Sequence, residues 1–343
     1  MSLHPLKFEN GILKALDQRL LPHKEAYLDV KTIEDAFGAI KDMVVRGAPV
    51  IGYTGLFGMT LWLKKQTQFT QTDLDKAAEY IKSARPTAVN LAYEVDKLVQ
   101  SILSWKHQDN IWEKSLAYTL ETINSAEEKN LSMAKFAEIA LAERKLNNDL
   151  TILTHCNTGF LACGTLGTAL GVISYLNKLK KIKHVFADET RPYLQGSRLT
   201  SYELTKENIS HQIVVEGAAS YLMSNGMVDA IFVGADRIAL NGDTANKIGT
   251  SNLAHIAKYY NVPFYVVAPL SSFDLSIASG KEIEIEMRPE SEILQYKNDP
   301  IAPMTARALN PSFDVTPAHL ITGIINERGC FSYPYVENFK KLK

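Results

Sequence analysis

Leu150-Thr151-Ile152-Leu153-Thr154-His155-Cys156-Asn157-Thr158-Gly159 is the stretch whose reading decides the fold. Its first five residues are apolar or β-branched, the composition of a buried strand. The run ends in a polar turn that continues through Gly164 and Gly167 into a helical pattern reaching Ile173. Strand, glycine-rich turn and helix form the unit from which parallel sheets are wound. Further short apolar runs at 183–187, 212–215, 230–233 and 264–268 alternate with helical patterns. The alternation predicts an α/β fold, with a Rossmann-like parallel-sheet domain over 149–343 and helices on both faces of its sheet.

Upstream of that stretch the chain reads differently. Residues 1–148 are expected to form a smaller, mainly helical domain. Thr32 stands three residues before Asp35 and ahead of Ala36, Phe37, Ile40 and Met43, the signature of a capped amphipathic helix ending near Arg46-Gly47-Ala48-Pro49. An apolar, glycine-containing segment follows at 50–63, and further helices are expected over 73–83, 88–104 and 111–146.

Composition narrows the classes of function. The 343 residues are 46% hydrophobic and 22% charged with a formal net charge of −1, an ordinary globular balance without the basic excess that binds nucleic acid or acidic membranes. No run approaches the ~18 apolar residues needed to span a bilayer. The first ten residues carry Lys7 and Glu9 and lack a long apolar core, so no signal peptide is expected. Three cysteines, Cys156, Cys163 and Cys330, offer no disulfide framework and suit a reducing compartment. A cytoplasmic protein that binds neither nucleic acid nor membrane is expected.

Active sites of parallel sheets lie beyond the carboxyl ends of the strands. Those exits hold His155-Cys156-Asn157, Asp188-Glu189-Thr190-Arg191, Glu216-Gly217 and Gly234-Ala235-Asp236. The turn after Thr154 favours an anion, because backbone N–H groups and a helix N-terminus can face it. It lacks both the Lys-Ser/Thr ending of a P-loop and the dinucleotide glycine fingerprint, although Asp188 stands near the spacing of a ribose contact. Cys156 there is open between a reactive thiolate and buried packing. Asp236 suits a general acid or base, or a helix N-cap. Arginines at Arg46-Gly47-Ala48-Pro49, Arg85-Pro86-Thr87 and Arg191-Pro192 sit on turns that can pre-position a guanidinium for phosphate. Lys247, in Asn246-Lys247-Ile248-Gly249-Thr250, is a further phosphate candidate. The histidines have no metal-ligand spacing, so no metal site is expected.

Taken together, Arg46–Pro49, Arg85–Leu91, 154–159, 189–200, 233–238, 241–250 and 310–317 resemble the 5-methylthioribose-1-phosphate isomerases of methionine salvage, in the same order from about residue 8 to 330. The wider family also holds ribose-1,5-bisphosphate and 5-deoxyribose-1-phosphate isomerases and regulatory subunits of the initiation-factor exchange factor. The resemblance implies that Cys156 and Asp236 are the catalytic pair. It implies that Arg46, Gly47, Ala48, Arg85, Gln195, Asn246 and Lys247 bind the sugar-phosphate substrate, largely its phosphate. It further implies no cofactor and a homodimer. Where those isomerases have Asp-x-Met-Ala, this chain has Glu216-Gly217-Ala218-Ala219; where they have Glu-Glu-Arg-Pro, it has Glu286-Met287-Arg288-Pro289. Two other readings stand beside an aldose–ketose isomerase: a non-catalytic regulatory subunit that binds sugar phosphate or nucleotide, and a dinucleotide-dependent dehydrogenase.

Overall fold

The structure, a computed structural model, describes residues 4–86, 88–105, 109–164, 166–296 and 299–342. Thr87, part of the second arginine turn, lies outside them. The chain divides into two compact units: Met1–Asn130 with Gly159–Gly167, and Leu131–Thr158 with Thr168–Lys343.

The first unit begins with an antiparallel meander of β1 (Leu6–Glu9), β2 (Ile12–Leu16) and β3 (Tyr27–Val30). Sequence reading expected a mainly helical domain and named no strand here. The overlooked signal is Asn10-Gly11, whose positive φ values of 52° and 76° make the tight hairpin turn such a pair favours. Helices follow as expected: α1 (Ile33–Lys41), α2 (Ala48–Lys64), α3 (Gln71–Lys82), α4 (Val89–Ser104) and α5 (Ile111–Glu143). The apolar segment after Pro49 is therefore helix, and α2 is buried on nearly every face. Its glycines admit α4 closely: a Cβ at Gly55 would stand 2.4 Å from Leu91 Cδ1. Each fully buried Leu, Ile or Phe in the surrounding core, such as Leu56, Phe57, Leu91 and Ile81, is worth ~1.5–3 kcal/mol of transfer free energy.

The sequence boundary at 148/149 differs from the division of these units. The unit border falls at Asn130/Leu131, inside the uninterrupted helix α5. Met133, Ala134, Ala137 and Leu141 of its second half are buried, and Glu138 accepts from Tyr175 Oη at 2.9 Å and Lys181 Nζ at 2.5 Å. Nothing in the helical periodicity marks where a continuous helix passes from one core to another.

The second unit is built on a seven-stranded sheet. Its strands are β4 (Leu150–Thr154), β5 (Ile182–Asp188), β6 (His211–Val214), β7 (Ala230–Val233), β10 (Phe264–Val267), β15 (Gly323–Asn326) and β16 (Gly329–Phe331). The spatial order is β16-β15-β10-β7-β4-β5-β6, all parallel except the β15–β16 hairpin. The chain winds outward through β4, β5 and β6 and then, from β7, through β10 and β15 on the other side. This is the doubly wound order, and its switch point lies between β4 and β7. The five strands read from sequence are all present; β15 and β16 were not foreseen.

A smaller sheet carries β8 (Arg237–Ala239), β9 (Thr244–Lys247), β11 (Phe273–Asp274) and β14 (Phe313–Thr316) in the order β11-β8-β9-β14, and a two-stranded ribbon joins β12 (Gln295–Tyr296) and β13 (Asp299–Pro300). Among the helices are a short α6 (Phe160–Cys163), which belongs to the first unit, and α7 (Ala169–Lys178), α8 (Ser201–Lys206), α9 (Ala219–Ser224) and α10 (Thr250–Tyr260) of the second. Every residue of β7 is buried, as expected for a central parallel strand covered on both faces.

Candidate active site

In the first unit, the two arginine turns lead into two unusual helix starts. Helices α1 and α3 open with full capping boxes, Thr32 with Asp35 and Thr70 with Asp73. Among the described residues, helices α2 and α4 have no side-chain cap, and neither has an acidic residue in its first turn. Arg46-Gly47 precedes α2, and Arg85-Pro86 precedes α4. Gly52 of α2 lies against Asn90 of α4, and Gly55 against Leu91 and Val95, so the helices run in the same sense with their N-termini at one end. The fold thus gathers two uncapped N-termini and two arginine turns, the composition of an anion site. Gly47 is irreplaceable here: its φ is 88°, and a Cβ would meet the Ala162 carbonyl oxygen at 2.4 Å. Arg46 is buried and Arg85 half-buried.

In the second unit, Cys156 and Asp236 lie on turns, Gln195 at the start of the Gly196–Thr200 helical turn, and Asn246 and Lys247, expected in a turn, at the end of β9. Cys156 and Asp236 follow β4 and β7, the two strands of the switch point. Their turns touch: a Cβ on Gly234 would be 2.6 Å from Thr158 Cγ2. The Asp236 N–H donates to the Ala245 carbonyl at 2.9 Å, one residue before Asn246. His155 Nε2 donates to the Ile248 carbonyl at 2.9 Å, which ties the Cys156 turn to Asn246-Lys247. Asn246 Nδ2 donates to Thr250 Oγ1 at 3.0 Å. Lys247 Nζ donates to the Ser312 carbonyl at 2.9 Å and stands 4.3 Å from the centre of the Phe313 ring. Gln195 is buried, and its Oε1 has no hydrogen-bond partner among the described residues. A buried orphan acceptor is costly unless a ligand donor meets it.

Four sequence expectations change. Arg191 does not join the candidate anion ligands; its guanidinium donates to the carbonyls of Pro192 and Ile293, both at 3.3 Å, and braces its own loop. Asp188, placed at a ribose-contact spacing, is buried and bonded to His155 Nδ1 at 3.0 Å. Asp236 is exposed, and the chain leads from it into β8. It is therefore no helix N-cap. The N-terminus of α7 is also partly occupied, since Thr158 Oγ1 accepts the Leu170 N–H at 3.0 Å.

Sequence reading weighed His155 only as a metal ligand. The structure makes it the centre of a buried polar network. Complete burial opposes a charge on the ring, yet the Asp188 carboxylate, the Ile248 carbonyl and nearby Glu216 together raise its pKa. Since a carbonyl can only accept, Nε2 carries a proton and Nδ1 shares one with Asp188. Gly249 presses on the ring, 3.0 Å from Cε1 to a built Cβ, and its φ of 102° excludes other residues. Asp314 closes the start of α10, accepting the N–H groups of Gly249 at 2.8 Å and Ser251 at 3.0 Å. Burial lifts its carboxyl above the usual range, against those donors and His155. Among the described residues no group of three or more His, Cys, Asp or Glu could hold a metal ion, and no helix is long and apolar enough to cross a membrane.

Some of the left-handed backbone of the described residues lies at the same exits. Cys156, Thr190 and Leu194 have φ of 63°, 63° and 59°. Such values are uncommon outside glycine and outlying for a β-branched residue, at ~1–3 kcal/mol each. Sites that hold strain of this kind are often where chemistry happens.

Fold and site together define a Rossmann-type protein of two units, with a thiol and a carboxylate at the switch point and separate turns suited to an anion. The chain belongs to the Initiation factor 2 subunit family, whose model matches residues 44–333. It is 44% identical to the methylthioribose-1-phosphate isomerase of Leptospira biflexa serovar Patoc, over 95% of each chain. It is similar to the crystal structure of 5-methylthioribose 1-phosphate isomerase from Pyrococcus horikoshii, with a TM-score of 0.91, 38% identity and coverage of 99% of this chain and 96% of that one. It is also similar to the crystal structure of translation initiation factor eIF-2B, subunit delta, from A. fulgidus, with a TM-score of 0.87, 35% identity and coverage of 99% of each chain.

Proposed function

We propose that this chain is an aldose–ketose isomerase that converts 5-methylthioribose 1-phosphate to 5-methylthioribulose 1-phosphate in methionine salvage. The observation that carries the reading is the pairing of Cys156 and Asp236 across the switch point, in a chain so close to isomerases over its full length. Phosphate on the anomeric oxygen of an aldose prevents spontaneous ring opening, so the enzyme must open the ring before hydrogen can move. Asp236, as the acid, gives its proton to the ring oxygen while the bond from C1 to that oxygen breaks. Hydrogen then passes from C2 to C1 with the help of Cys156, and the C2 hydroxyl becomes the ketone as its proton returns to the Asp236 carboxylate. Arg46, Gly47, Ala48 and Arg85 bind the substrate phosphate, and Gln195, Asn246 and Lys247 complete the substrate contacts. Orientation of this kind contributes several kcal/mol, about what effective-molarity comparisons allow. No cofactor takes part.

The substrate's 5-position is read by pocket shape. An apolar methylthio group differs from hydrogen by a contribution of ~1–3 kcal/mol in an apolar pocket. We expect kcat/KM to be highest for 5-methylthioribose 1-phosphate, lower for 5-deoxyribose 1-phosphate and lowest for ribose 1,5-bisphosphate, whose second dianion needs another basic cluster. Steady-state comparison of the three decides it; a higher value for the 5-deoxy sugar assigns this chain to that neighbouring activity. Absence of turnover on all three would favour the regulatory-subunit reading, which the similarity to the delta subunit structure keeps in view.

The reading includes a homodimer in the cytoplasm. Light scattering at micromolar concentration should give twice the 38.2 kDa chain mass. The monomer mass would refute it.

A further inference from the structure

We propose that Thr190 and Thr200 are positioning residues for Cys156, their hydroxyls holding both backbone polar groups of that residue so that its thiol is aimed into the switch-point crevice. The inference rests on the reading of Cys156 as the group that serves hydrogen transfer. Cys156 lies just beyond the end of β4. Its N–H donates to Thr190 Oγ1 at 2.9 Å, and its carbonyl accepts from Thr200 Oγ1 at 2.5 Å. Both threonines are buried, at 0% and 1% exposure, so neither hydroxyl has water as an alternative partner.

Each hydroxyl is also held from its other side. Thr190 Oγ1 donates its hydrogen to the Asp188 carbonyl at 2.9 Å, which leaves its lone pairs for the Cys156 N–H. Thr200 Oγ1 gives its hydrogen to Cys156 and accepts from Asn157 Nδ2 at 3.3 Å, while the same amide donates to buried Glu203 at 2.8 Å. The directions of all these bonds are mutually consistent, and a satisfied buried network is rigid. The local fold shows the same construction. A Cβ on Gly196 would lie 1.6 Å from the Asp188 carbonyl oxygen, so only glycine lets this loop close onto β5. From that contact Gly196–Thr200 forms a π-helical turn, a form that recurs at functional sites, and the turn delivers the Thr200 hydroxyl to Cys156. Left-handed φ at both Cys156 and Thr190 persists because the two residues hold each other.

Thr190→Val and Thr200→Val keep the β-branched shape and remove only the hydroxyl. In each, kcat should fall about ten- to a hundredfold, the scale of a small misplacement of a reacting group, with KM within about twofold. Thr→Ser at either position should restore most of the rate. A second readout does not depend on catalysis: alkylation of Cys156 by iodoacetamide, followed by peptide mass spectrometry against exposed Cys330, should change rate by several-fold in the valine variants and return in the serine variants. A fall in kcat with unchanged alkylation, or unchanged kcat in a folded valine variant, overturns the proposal. Should a valine variant not fold, the Ala and Ser variants are compared, and equal loss in both overturns it. Near-normal turnover of Cys156→Ala would instead overturn the underlying reading of Cys156, while the alkylation result still reports on the clamp.

Discussion

Cys156→Ala is expected to lower kcat by at least ~10²-fold, about 2.7 kcal/mol of transition-state stabilisation, while the protein remains folded. The structural side of this expectation follows from the turn. Alanine has the same backbone restriction as cysteine at a φ of 63°, so the strain is unchanged. The bonds to Thr190 and Thr200 use only the backbone of residue 156 and survive the substitution. Cys156 is half-buried, so little packing is lost. Thermal unfolding should therefore stay within a few degrees of the parent, and the whole effect should appear in turnover. Cys163→Ala is the control. That thiol is buried in α6, a segment of the first unit, and its alanine variant should stay active. Near-normal turnover of Cys156→Ala with a loss in Cys163→Ala would reverse the two assignments.

How much of this could be read from the sequence depends on what kind of interaction placed each residue. The strands of the parallel sheet were legible because burial on both faces demands continuous apolar runs, as at Ile231-Phe232-Val233. Strand exits then pointed to Cys156 and Asp236. The first-unit meander was not foreseen, since its four- and five-residue strands are too short for periodicity to outweigh a helical neighbourhood, and only Asn10-Gly11 betrayed it. Nor was the border inside α5 visible, because a continuous helix carries no local mark of a change in core.

The site divides along the same line. Arg46, Gly47 and Arg85 stand on turns with local signatures. By contrast, the bonds of His155 join residues separated by 33 positions, to Asp188, and by 93 positions, to Ile248. Thr200 reaches Cys156 across 44 positions. Such pairs leave no local pattern, and a buried histidine or threonine looks like any other until the topology brings its partner near. The uncapped starts of α2 and α4 are an intermediate case. The absence of Ser, Thr, Asp or Asn before Ala48 and Val89 is in the sequence, but it gains meaning only beside the complete capping boxes of α1 and α3.

Asp236→Asn should reduce kcat as severely as Cys156→Ala, by ~10²–10⁴-fold, with substrate affinity little changed. The amide preserves the shape of the carboxyl but cannot supply the acid proton to the ring oxygen. Stability should be nearly unaffected, because residue 236 is exposed and its anchoring bond to the Ala245 carbonyl comes from the backbone. That exposure also sets a condition on the mechanism. The acid proton is needed in the complex, where the sugar covers the carboxyl and displaces its water. Truncating the substrate should therefore cost rate at Asp236 even where the missing group touches nothing that reacts. Calorimetry on the asparagine variant with the aldose phosphate separates the roles. Binding retained with turnover lost identifies Asp236 as the acid. Binding lost together with turnover identifies it as a substrate ligand, since an acid that acts only in the transition state has no claim on ground-state affinity.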